Sequence, residues 1–134
     1  MSNRKGYRGY IGSRAYRSDR VPQHVQNLVV RDFCQRNGFT YLLSATEYAM
    51  PACYLMLEEV VHETLTLNGV VLYSIFMLPQ RAERRRDLCR RILDAGATIH
   101  GAVENISIRN EEDLDRAEEI FLVDGIAAAV PSSL

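Results

Sequence analysis

Several residues that can do acid–base work stand just after short apolar runs in this sequence. Ser13-Arg14 follows Tyr10-Ile11-Gly12, and Ser44-Ala45-Thr46-Glu47-Tyr48 follows Tyr41-Leu42-Leu43. Tyr73-Ser74 closes a run that begins at Val70, and Glu104-Asn105 follows Ala102-Val103. Pro22-Gln23-His24 opens a helical pattern, with Asn27 one turn further on. The inventory is two hydroxyls (Ser13, Ser74), two carboxylates (Glu47, Glu104), a guanidinium (Arg14), an imidazole (His24) and two amides (Gln23, Asn27). Such groups serve general acid–base catalysis, and an unperturbed imidazole titrates near neutrality. Ser13, His24, Glu47 and Glu104 are therefore the catalytic candidates. Arg14, Gln23, Asn27, Ser44, Tyr48 and Ser74 are the candidates for holding substrate. A plainer role stays open for the carboxylates: Glu47 and Glu104 would cap neighbouring helices and pair with arginines.

These residues matter jointly only if the chain folds so that they converge. Gly6–Ser13 has strand formers in Tyr7, Tyr10 and Ile11, and 14–20 is a polar loop. Pro22 suits a first helical turn, Val25, Leu28, Val29, Phe33 and Cys34 recur at helical spacing, and Asn37-Gly38 ends the pattern. Phe39–Ser44 is a second strand and Ala45–Met50 a loop. Pro51 opens a second helix with an apolar side of Leu55, Leu57, Val60, Val61 and Leu65. Val70–Phe76 is a third strand, Gln80–Ala95 a third helix with its arginines outward, and Thr98–Val103 a fourth strand. Asn110 caps a last helix from Glu111 to about Val123. The alternation predicts an α/β fold: a three-layer, mainly parallel, four-stranded sheet with helices on both faces. In such sheets ligands collect beyond the carboxyl ends of the strands. One domain is expected over 7–125, with a loose tail at 1–6 and another at 126–134.

Composition narrows the class. The 134 residues are 47% apolar and 25% charged, as in a globular domain. No apolar run approaches the roughly 20 residues that span a bilayer, and the basic stretch Met1–Arg20 lacks the apolar centre of a secretory leader, so a cytoplasmic protein is expected. Cys34, Cys53 and Cys89 are far apart with no paired spacing, which fits free thiols rather than a zinc site. Fifteen of the sixteen basic residues are arginine, and the net charge is −1. No basic footprint for duplex DNA is present. The cluster Arg81, Arg84, Arg85, Arg86, Arg90 and Arg91 reads as an outer face paired with the acidic residues of 101–134. Arg81 and Arg84, nearest the third strand, are the two that could meet a phosphate. Glu59-Val60-Val61-His62 is a single ExxH on a helix surface, where a carboxylate-bridged metal site needs two. His62 and His100 have no evident partners. No glycine-rich dinucleotide or P-loop motif and no GxSxG is present, so no cofactor and no metal is expected.

Two families share features with the chain. Tyr10-Ile11-Gly12-Ser13, and Asn68-Gly69-Val70-Val71-Leu72-Tyr73-Ser74 further on, resemble the serine recombinase (resolvase/invertase) catalytic domain over roughly 7–107. That resemblance implies a resolvase-like or flavodoxin-like sheet. Gly12 stands where that family has an arginine, Ser13 is one position out of register with its nucleophile, and Phe76-Met77-Leu78-Pro79-Gln80 replaces its charged phosphate-binding stretch. DNA strand exchange is therefore not expected. Tyr7-Arg8-Gly9-Tyr10-Ile11, Ser13-Arg14, Val21-Pro22-Gln23-His24-Val25-Gln26-Asn27, Leu43-Ser44-Ala45-Thr46-Glu47-Tyr48-Ala49-Met50, Tyr73-Ser74 and Ala102-Val103-Glu104-Asn105 resemble the "sporadic carbohydrate cluster" proteins of bacterial surface-carbohydrate gene clusters. That resemblance implies a role in making lipopolysaccharide, capsule or a related glycan, without specifying a reaction.

The first expectation is a small enzyme or enzyme subunit acting on a sugar-type, anionic or polyhydroxylated molecule by isomerisation, elimination or hydrolysis. The second is a non-catalytic binding or scaffold protein, docking through an apolar patch at Phe76, Met77 and Leu78. The third is a degenerate recombinase-like domain. A homo-oligomer is expected, as is common for such domains.

Overall fold

The computed structural model describes residues 4–12, 21–47 and 54–129. Among the described residues five strands form one sheet: β1 (Tyr7–Gly12), β2 (Tyr41–Glu47), β3 (Gly69–Leu72), β4 (Thr98–Gly101) and β5 (Ile106–Ile108). Their order is β2-β1-β3-β4-β5, parallel throughout except that β5 runs antiparallel to β4. The helices are α1 (Gln23–Arg36), α2 (Leu55–Glu63), α3 (Ala82–Asp94) and α4 (Glu111–Ala129).

The α/β alternation is present, and the sheet gains a strand over the four expected. Ile106-Ser107-Ile108 is only three residues long, so no alternation stands out in the sequence. It forms because the chain reverses at Ala102–Asn105, where Asn105 takes a left-handed φ of 55°, a conformation asparagine tolerates better than most residues. The third strand stops at Leu72, and Ile75–Met77 is a single 3-10 turn capped by the Ser74 hydroxyl. The triplet Phe76-Met77-Leu78 is therefore no exposed patch: Met77 and Leu78 are buried and Phe76 is half-buried.

Neighbouring residues of β1 reach different helices, as a period of two requires. Tyr7 stacks on Phe39, 3.8 Å between centroids, and lies edge-on to His100, whose ring also meets Phe33 of α1. Arg8 approaches Glu63 of α2, and Tyr10 points to Glu47 beneath the start of α2. β3 is buried on both sides, with Val70, Val71 and Leu72 at 0% exposure, which explains its unbroken apolar run. His100 does have partners: Thr98 Oγ1 at 2.8 Å and Ser107 Oγ at 2.7 Å hold its two ring nitrogens. Burial, then the charge of Arg109, lowers its pKa to about 4, so it is a neutral core imidazole.

Some apolar positions face water instead. Leu28, Leu55 and Leu65, read as inward from their spacing, are exposed, because α1 buries Gln26, Val30, Phe33 and Cys34 and α2 buries Leu57, Val60 and Val61. On α3 most arginines are outward, but Arg85 is buried. It forms a two-pronged pair with Glu118 of α4 at 2.6 and 2.7 Å and lies over the Phe121 ring. Arg86 meets Asp115, Arg90 meets Glu111 and Arg91 meets Glu58. Asn110 caps α4 through the N–H of Asp113 at 2.8 Å. Arg4, in the segment read as a loose tail, donates to the carbonyls of Thr64, Leu67 and Ala95 and so binds the ends of α2 and α3 together.

Candidate functional site at the carboxyl edge of the sheet

Gly12 ends β1, and its peptide is clamped by a side chain. Gln26, in the early turns of α1 and 2% exposed, accepts from the Gly12 N–H at 2.9 Å and donates to the Gly12 carbonyl at 2.7 Å. The same amide nitrogen donates to the Val21 carbonyl at 2.8 Å. The end of β1 is thereby fixed to the start of α1. Gln23 and His24, both exposed in the first turn of α1, are fixed at that edge with it. Ser13, Arg14 and Tyr48 lie outside the described residues.

Glu47 is the last residue of β2, not part of a loop, and is 1% exposed. Its carboxylate accepts from the Tyr10 hydroxyl at 2.8 Å and from the N–H groups of Met56 and Leu57 at 3.0 and 3.2 Å. It thus occupies the positive end of α2, where a carboxylate is favoured by both the free N–H groups and the helix dipole. Glu104 repeats the motif. It accepts from the Ser74 hydroxyl at 2.7 Å and the Ile75 N–H at 2.7 Å, at the start of the 3-10 turn. Each carboxylate accepts from a hydroxyl and from the start of a helical segment, Glu47 through two N–H groups and Glu104 through that of Ile75. Both hold the edge together, the capping role left open by the sequence.

Ser74 and Glu104 are brought into direct contact, and Tyr73 joins them. The Tyr73 N–H continues the sheet to the Tyr10 carbonyl at 3.0 Å, and the Val103 N–H reaches the Tyr73 carbonyl at 2.9 Å. Burial, and secondarily the charge of Glu104, raises the pKa of the Tyr73 phenol. Arg84 lies over the ring of Tyr54, 4.7 Å from its centroid, just before α2.

Asn27 and Ser44 go elsewhere. β2 is longer at its carboxyl end than Phe39–Ser44, so Ser44 lies mid-strand opposite Gly9 rather than at an end. A register shift between Tyr7 and Gly9 lets the Tyr41 hydroxyl meet Ser44 Oγ at 2.7 Å and sit 3.4 Å from Asn27 Oδ1. Gly9 is required there, since a Cβ would collide with Ser44 Oγ. This polar trio packs against α1, whereas Glu47 packs against α2.

Gln26, Tyr10 and Tyr73 were missed from the sequence. Gln26 carried one signal: a polar residue at a helix position that also hosts Val30 and Phe33 on the buried side. Cys34 and Cys89 are buried free thiols whose pKa values burial pushes up to about 11 and about 12, so neither is a thiolate nucleophile. Glu59 and His62 are exposed on α2. Among the described residues no three metal-ligating side chains cluster, and no helix is long and apolar enough to cross a membrane. Comparison with family models, with curated proteins and with solved structures finds no match.

Proposed function

We propose that the chain is a small enzyme or enzyme subunit of bacterial surface-carbohydrate or related sugar metabolism. It performs cofactor-independent acid–base chemistry on an anionic or polyhydroxylated small molecule. The observation that supports this reading is the strand order β2-β1-β3-β4-β5. Connections leave β1 toward one edge and β3 toward the other, so the crevice of a doubly wound sheet falls between the carboxyl ends of β1 and β3. Gly12, Tyr73 and Ser74 stand there. The finer description of the fold, three layers with a resolvase-like or flavodoxin-like plan, belongs to the same proposal.

In this reading His24 moves the proton, with Gln23 beside it. Ser13 and Arg14, which follow Gly12 in sequence, bind the hydroxyls and the anionic group of the substrate. Glu47 and Glu104 position the edge through Tyr10 and Ser74 rather than exchanging protons themselves. Calorimetric titration of the chain with glucuronate and with UDP-glucuronate tests the reading. Binding of either probe, weakened at least tenfold by Arg14→Ala, is the expected result. Binding of neither, or binding insensitive to Arg14→Ala and His24→Ala, contradicts it.

A further inference from the structure

The last helix carries an apolar face that the domain leaves uncovered. From Ile120 to Ala129 the one charged residue is Asp124. Leu122 and Val123 are each 65% exposed. Successive residues of a helix are turned by about 100°, so the two face different ways. Leu122 lines the groove between α3 and α4 with Arg86 and Asp115. Val123 lines a separate, mostly apolar groove with Phe76, Ile120, Arg116, Glu119 and Asp124. An exposed apolar groove rimmed by charge is the usual mark of an interaction surface.

We infer that this groove is the contact face of a homodimer in which two α4 helices pack antiparallel about a two-fold axis near Ile120. A two-fold face must be complementary to itself. Arg116 precedes Ile120 by four residues and Asp124 follows it by four, so a cation and an anion lie about 12 Å apart along the helix, with Ile120, Val123 and Glu119 between them in the groove. Antiparallel packing brings each Arg116 to the partner's Asp124, with Ile120 and Val123 meeting in the middle. Parallel packing sets like charges together. Within one protomer Arg116 lies 3.6 Å from Asp113 and its side chain stays 69% exposed, which leaves most of the guanidinium accessible to a second copy.

Equilibrium sedimentation of the full chain tests this, with circular dichroism to verify folding. The expected mass is twice 15.2 kDa. Val123→Glu is expected to raise the dimer dissociation constant at least tenfold. Leu122→Glu, equally exposed on the same helix but turned toward α3, is expected to leave it unchanged. Arg116→Glu weakens the dimer, and adding Asp124→Arg restores it. A monomeric wild-type chain, equal effects of the two glutamate substitutions, or no recovery in a folded double variant overturns the proposal. Should Arg116→Glu fail to fold because of Asp113, the Val123 and Leu122 variants decide alone.

Discussion

The Gln26 side chain grips both the N–H and the carbonyl of Gly12, at 2.9 and 2.7 Å, and so joins the first strand to the first helix at the candidate site. Loss of this buried clamp removes the side-chain partner of three backbone groups, the N–H and carbonyl of Gly12 and the carbonyl of Val21. Gln26→Ala is expected to lower stability by about 2–3 kcal/mol. Gln26→Glu is expected to be no better, because a carboxylate cannot donate to the Gly12 and Val21 carbonyls. Urea unfolding of both variants measures this. An unchanged midpoint in either would show that the clamp contributes nothing.

Glu47 makes a second prediction. Glu47→Ala removes the acceptor for the Tyr10 hydroxyl and for two N–H groups at the start of α2. A loss of about 3 kcal/mol is expected, since bonds to a charged group are worth roughly 1.5–3 kcal/mol each and the groups left behind gain some water. Glu47→Gln keeps one acceptor oxygen and is expected to lose less than half of that. Equal losses for the two variants would mean that packing, not hydrogen bonding, is what Glu47 provides.

His100 sets a pH dependence. Its pKa is about 4 in the fold against an ordinary 6.5, so the unfolded chain takes up the proton first on acidification. Stability is then greatest above pH 6.5 and falls as the pH drops from 6.5 toward 4, where the folded state begins to titrate as well. The full effect is roughly 3 kcal/mol. His100→Gln is expected to flatten the unfolding free energy across that window. An identical slope in wild type and variant would remove His100 as its cause.

Arg85 and Glu118 form a nearly buried pair between α3 and α4, with side chains 6% and 10% exposed. Removing Arg85 leaves the nearly buried Glu118 only its longer contact with Arg86 at 3.7 Å, and Arg85→Met is expected to cost about 3 kcal/mol. Adding Glu118→Leu should recover most of that loss. A double-mutant cycle reads the coupling, and additive losses would contradict it.

The repeating β-α order was legible because β3 buries a continuous apolar run, Val70-Val71-Leu72, and because Asn37-Gly38, Asn68-Gly69 and Gly96 stand between the helices and the strands that follow them. β5 escaped because three residues held by a hairpin to β4 need no periodicity of their own. Ser44 was misplaced because β2 runs on through the small and polar residues Ala45 and Thr46 to Glu47, which carry no apolar strand signal, and the register shift that brings its hydroxyl to Tyr41 leaves no mark in residue type. The candidate carboxylates were found by position, but their capping role depends on where α2 and the 3-10 turn begin. Pro51 suggested a start for α2 before Leu55, and the apolar triplet at Phe76 hid the turn. Gln26 was overlooked because its partners are backbone groups, which no side-chain inventory reveals.

The central claim is that ligand binds between the carboxyl ends of β1 and β3. The most direct measurement is a two-dimensional amide NMR titration of the full chain with glucuronate and UDP-glucuronate. The account predicts chemical-shift changes concentrated at Gly12, Gln23, His24, Tyr73 and Ser74. Changes confined to the α3–α4 face, or none with either compound, would contradict it.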